Sequence, residues 1–120
     1  MIIFRIAMDV LQEKQKEVMQ TLVSMTETAK KEKGCLSYEV FFHMDGKTVF
    51  NLIEEWKNRE DLERHIRSEG FSVLLGTKSL LAKPLEMKIH TVSHSEGTKA
   101  VNVIRGTGPR KENFKNELIT

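Results

Sequence analysis

Residues 2–8 alternate, with Ile2, Phe4, Ile6 and Met8 on one side and Ile3, Arg5 and Ala7 on the other. A period of two predicts a half-buried strand. The period then lengthens. Leu11, Val18, Leu22, Met25 and Ala29 recur at helical spacing and predict an amphipathic helix over about residues 10–31. Asp9 is placed to cap its start. Lys30, Lys31 and Lys33 suit the negative end of its dipole, and Gly34 fits the position just past its end.

Period two returns at residue 35. Leu36, Tyr38, Val40 and Phe42 share one face of a predicted strand over residues 35–43. Phe50, Leu52, Glu54 and Trp56 share one face of the next, over 47–56. Asp45-Gly46 between them is a strong hairpin signal, because a type I′ turn needs positive φ at both central residues. Asn58 is placed to cap a second helix, with Asp61 as a weaker capping-box carboxylate. Leu62 and Ile66 point inward, and His65 sits at the edge of their stripe. Gly70 is expected to break this helix. Phe71, Leu74, Leu75, Leu80 and Leu81 suggest a short irregular helical segment that Pro84 ends. Leu85, Met87, Ile89 and Thr91 alternate with Glu86, Lys88, His90 and Val92 in a fourth strand.

The order βαββαβ predicts an α+β, ferredoxin-like fold with a four-stranded antiparallel sheet. The helices should cover the face that carries Phe4, Val40, Leu52 and Met87. The opposite face mixes Ile3, Phe41, Val49 and Ile53 with Arg5, Glu39 and His90, which is too apolar for a freely solvated surface. A homodimer packed through its sheet faces is therefore expected. Residues 1–93 form the predicted domain. Residues 94–120 read as a C-terminal extension, either a dimer arm or a disordered tail. Within it, Ala100–Arg105 is a candidate short strand, Gly106–Pro109 a turn, and Phe114 and Leu118 a helical turn.

Composition narrows the partners. A net charge of +2 over 120 residues is too small to imply a nucleic-acid or anionic-membrane partner. The βαββαβ order also serves RNA recognition, but the third strand, KTVFNLIE, lacks the required basic and aromatic signature. The apolar start, MIIFRIAM, is interrupted by Arg5 and is too short to span a bilayer. With Cys35 the sole cysteine, no internal disulfide can form, which fits a cytoplasmic location. The histidines show no metal-ligand spacing, so no metal site is expected.

Candidate chemistry gathers at one strand-to-helix corner. Its matching pieces are Gly34-Cys35-Leu36-Ser37-Tyr38-Glu39, Glu54-Glu55-Trp56, Leu62-Glu63-Arg64-His65 and Ser68-Glu69-Gly70-Phe71. A strand ending in Glu-x-Trp, followed by a helix with His and then Ser three residues later, resembles the antibiotic biosynthesis monooxygenase family over about residues 1–93. That resemblance implies dimers whose sheets pack into a shared α+β barrel, with pockets between helices and sheet. It also implies that a small aromatic or quinol-like substrate is oxidised by O2 without a bound cofactor. The haem-degrading branch does not fit: the first strand has no Asn, position 65 is His rather than Trp, and the position ten residues on is Leu75.

Within this resemblance His65 is the candidate acid/base, since an imidazole gains and loses protons near neutrality. Glu54, inward by alternation, would orient it or bind a substrate hydroxyl. Trp56, Tyr38, Ser68 and Phe71 are the candidate substrate contacts. Two other readings keep the fold without this chemistry: a non-catalytic binding or structural module, and an isomerase or degradative enzyme acting on a small carbonyl compound.

Overall fold

The computed structural model describes residues 1–44 and 48–106. Asp45-Gly46, Phe114 and Leu118 fall outside those residues, as do Thr107–Pro109 of the expected turn. The strands are β1 (Ile2–Asp9), β2 (Cys35–Phe42), β3 (Val49–Trp56) and β4 (Glu86–Thr91). The helices are α1 (Gln15–Ala29), α2 (Arg59–Ile66), α3 (Glu69–Leu75) and α4 (Thr98–Arg105). The sheet runs β2-β3-β1-β4 with every neighbouring pair antiparallel, the ferredoxin-like α+β arrangement.

Cross-strand register sets the core in rows. Val40, Leu52, Ile6 and Met87 form one row, and Tyr38, Glu54, Phe4 and Ile89 the next. Cys35, Trp56, Ile2 and Thr91 form a third. Val18, Leu22, Met25 and Ala29 of α1, Leu62 of α2 and Phe71 and Leu74 of α3 bury against this face. Met87 lies on the expected face but stays exposed, because every residue of β4 at the sheet edge is exposed. On the opposite face Ile3, Ala7, Val49 and Ile53 are half-buried, while Arg5, Glu39 and Phe41 are exposed.

Several local expectations change. Asp9 does not cap α1: it ends β1, where its carbonyl accepts from Ala82 N–H at 2.7 Å. Val10 follows it into the core, and a 3₁₀ turn at Gln12–Lys14 precedes α1. Helix α1 ends at Ala29, so Gly34 does not terminate it. Gly34 instead turns the chain into β2 with φ of 85°. A β-bulge between Cys35 and Ser37 pairs Cys35, not Leu36, with Trp56. The extra residue reverses the alternation, and Leu36 is exposed.

Gly70 does not break the second helix either. The break comes at Arg67-Ser68, and Gly70 sits in the first turn of α3. Asn58 caps α2 as expected, its Oδ1 accepting from Asp61 N–H at 2.9 Å. The Asp61 carboxylate pairs with Arg64 at 2.7 Å. Residues 100–105 are helical rather than extended, and Gly106 closes α4 with φ of 80°. A short apolar run carries no period of its own, so strand and helix cannot be separated there by pattern alone.

Candidate functional site

His65 is fixed from both its backbone and its ring. Its carbonyl, at the end of α2, accepts from Ser68 N–H at 3.0 Å and from Ser68 Oγ at 2.6 Å. Ser68 Oγ also accepts from Phe71 N–H at 3.2 Å, so one hydroxyl joins the end of α2 to the start of α3. The ring is only 2% exposed. Trp56 stacks on it with centroids 4.6 Å apart and planes 28° off parallel. Tyr38 and Phe71 meet it edge-on at 6.1 and 5.7 Å. These rings remove the rotamer freedom that an exposed histidine would keep.

Each ring nitrogen faces a carboxyl group. Nδ1 lies 3.0 Å from both oxygens of Glu32. Nε2 lies 3.4 Å from Glu54 Oε1, within ion-pair range but outside hydrogen-bond geometry. An ionised carboxylate only accepts hydrogen bonds, so pairing with Glu32 places the neutral ring's proton on Nδ1 and leaves Nε2 as the bare base. Glu54 is fully buried, and its Oε1 accepts from Trp56 Nε1–H at 2.9 Å. Burial pushes its acid up to about 8 and the nearby Glu32 charge adds to the rise, while the indole N–H acts against them. Glu54 therefore carries a proton at neutral pH.

That proton has a stability consequence with a defined sign. The unfolded chain ionises Glu54 near the ordinary value of 4.5, while the folded chain holds the proton until about 8. Between those values the unfolded state binds fewer protons, so Glu54 withdraws stability as the pH rises from about 4.5 to about 8.

Burial raises the Tyr38 phenol as well, with Glu54 and Glu32 adding to the rise, so it stays protonated. Burial likewise raises the Cys35 thiol, which disfavours the nucleophilic thiolate. Tyr38 Oη, Glu54 Oε2 and His65 Nε2 are buried without a hydrogen-bond partner among the described residues. Each such atom costs about 1–3 kcal/mol. One of them on the imidazole and two beside it concentrate that cost at a single place in the core.

A groove of about 590 Å³ opens on the other side of His65, between α1 and α3. That volume lies within the range of small-molecule sites. Glu32, His65, Met25 and Ala29 line it near the imidazole, with Gly70 and Val73 on the α3 wall. Glu54, Trp56, Tyr38, Ser68 and Phe71 are not on its walls. The candidate residues thus converge on His65, but only the imidazole reaches the groove. Sequence reasoning missed Glu32. It lies in a run of lysines and glutamates with no periodicity, and only the turn at Gly34 brings it onto α2. Among the described residues no group of three or more His, Cys, Asp or Glu is placed to hold a metal ion. No helix among them is long and apolar enough to cross a membrane.

The family model described as antibiotic biosynthesis monooxygenase matches residues 1–74, which include every group of this cluster. The chain belongs to that family. A conserved protein of Methanosarcina mazei Go1 is 31% identical, with a TM-score of 0.71 over 74% of this chain and 89% of that one. Two solved structures named for antibiotic biosynthesis monooxygenases share the fold of this family member. One, from Nitrosomonas europaea, has a TM-score of 0.73 at 19% identity, covering 78% of this chain and 100% of that one. The other, from Deinococcus radiodurans, has a TM-score of 0.75 at 21% identity, covering 81% and 97%. Among curated proteins, none matches this sequence.

Proposed function

We propose that this family member is a cofactor-free monooxygenase acting on a small aromatic or quinol-like substrate. The observation that carries the reading is a buried imidazole flanked by two carboxyl groups and opening on a groove. A substrate hydroxyl in that groove meets the Glu32–His65 pair and gives up its proton to it. The Glu32 carboxylate takes that proton, and the His65 Nδ1–H that held it donates to the substrate oxyanion left behind, which lowers the cost of ionising the substrate. The electron-rich anion then reacts with O2. A ring C–H ortho or para to the oxyanion becomes C=O while the C–O⁻ itself becomes C=O, the second oxygen atom leaves as water, and the substrate supplies all the electrons.

In this reading His65 works as the acid/base together with Glu32, and Glu54 holds the Nε2 side of the ring. Trp56, Tyr38 and Phe71 keep the ring in one orientation, and Ser68 fixes its backbone. The test is oxygen uptake by the full chain with a panel of hydroquinones and hydroxynaphthalenes. Uptake that depends on His65 supports the reading, and no uptake across the panel removes it. The sole cysteine fits a cytoplasmic setting for this chemistry.

The working unit is a homodimer packed sheet against sheet. The half-buried Ile3, Ala7, Val49 and Ile53 on the face away from the helices support it. The extension from residue 94 serves as an arm, in keeping with the exposed Val101, Val103 and Ile104 of α4. Light scattering at micromolar concentration is expected to give twice the chain mass, and a monomer there removes this part of the reading.

A further inference from the structure

We propose that the groove beside His65 admits uncharged, hydroxyl-bearing ring compounds and turns away anionic ones, with Gly70 keeping it open. The inference rests on the reading of Glu32 and His65 as the acid/base pair and adds to it a rule for what may reach them.

The α1 wall is a polar ladder. Glu17, Gln20, Thr21, Ser24 and Thr28 line it at helical spacing, and Glu32 follows beside the imidazole. At 1.5 Å per residue, Glu17 and Thr28 are separated by about 16 Å along the helix, so the groove is elongated. Hydroxyl, amide and carboxylate oxygens on this wall accept hydrogen bonds from a ligand's O–H groups. Met25, Ala29 and Val73 supply apolar surface for a ring. Carboxylates stand at both ends, and among the described residues no Lys or Arg side chain lines the groove. Lys14 pairs with Glu17 at 3.3 Å, but it is more than a third exposed, where water screens it. An anionic ligand would meet like charge at either end and find no countercharge among the described residues of the walls.

Gly70 explains why there is room. Its φ is not positive, so the backbone does not require glycine there. A Cβ at this position would meet only Ser68 Oγ, at an ordinary 3.7 Å. Alanine would also suit a helix better than glycine does. The space that a side chain would fill is part of the groove instead.

The test uses a matched pair, 2-naphthol and 6-hydroxynaphthalene-2-sulfonate, which differ by one sulfonate. Calorimetric titration of the full chain at pH 7 is expected to show naphthol binding at least about tenfold more tightly, the size expected of one like-charge contact at the rim. Glu17→Gln narrows that ratio. Gly70→Phe abolishes naphthol binding while the thermal midpoint stays close to wild type. Val73→Trp, on the exposed rim, does the same by a route that does not alter the first turn of α3. Equal affinity for the two compounds, no naphthol binding, or binding that survives both blocking variants overturns the inference. Loss of selectivity with His65-dependent oxygen uptake intact overturns this inference alone, because the acid/base reading stands or falls on turnover.

Discussion

Replacing His65 by alanine lowers oxygen-dependent turnover by about 100- to 10,000-fold on any substrate the wild-type protein oxidises. That range corresponds to about 3–5.5 kcal/mol of transition-state stabilisation. The expectation follows from position. Among the described residues His65 is the one group that faces both the groove and the buried acid, with Nδ1 at 3.0 Å from Glu32 and Nε2 at 3.4 Å from Glu54. Alanine also leaves Trp56 without its stacked neighbour, so the variant is expected to melt at a lower temperature. His65→Gln fills more of the space and cannot act as a base near neutrality, so it separates the two effects. Both variants should lose kcat with little change in KM, since the groove walls remain. Turnover within twofold of wild type in a folded variant would remove His65 from the mechanism.

Gly34→Ala destabilises the fold by about 3 kcal/mol or more. Two terms add. With φ of 85°, Gly34 is left-handed, which costs an alanine about 1–2 kcal/mol. A Cβ at Gly34 would also fall on the Asp61 carboxyl group, which is itself buried and paired with Arg64. The turn cannot drift away to relieve the clash, because Gly34 O accepts from Lys57 N–H at 2.8 Å at the entry to α2. Urea unfolding is expected to show a lower midpoint at an unchanged slope. Gly34→Ala combined with Asp61→Ala should cost less than the sum of the two changes made singly, because the steric term is shared. Additive losses would contradict the contact. Glu32 lies two residues before this turn, so what fails in the variant also places a carboxylate on His65.

The sheet was legible because alternation is a direct record of which face is buried. Ile2, Phe4, Ile6, Met8, Leu52 and Trp56 all lie where period two put them. The bulge at Leu36 was not legible, since one inserted residue leaves the composition unchanged while it reverses the faces. Nor was the true start of α1, where Val10 is drawn into the core ahead of the helix. At the site, His65, Glu54 and Trp56 came from local spacing along β3 and α2, and the family resemblance added their order. Glu32 is 33 residues from His65, and no local pattern records a contact at that range. The groove was illegible for a related reason. Its α1 wall is the polar side of an amphipathic helix, which looks in sequence like any solvated face.

Trp56 makes the coupled cluster directly observable. It is the sole tryptophan, its indole donates to Glu54, and it stacks on His65. Among the described residues, the groups around Glu54 that bear a charge or titrate are Tyr38 and Cys35 on β2, His65 on α2 and Glu32 before Gly34. The most direct test of the cluster is the fluorescence of Trp56 followed from pH 5 to pH 10 in wild type and in Glu54→Gln, an isostere of the protonated acid. Wild type is predicted to titrate with a midpoint near 8, the value to which burial lifts Glu54, and Glu54→Gln to lose that transition. Emission that does not change with pH across this range, or a transition that persists unaltered in Glu54→Gln, would contradict a proton-holding acid beneath the imidazole.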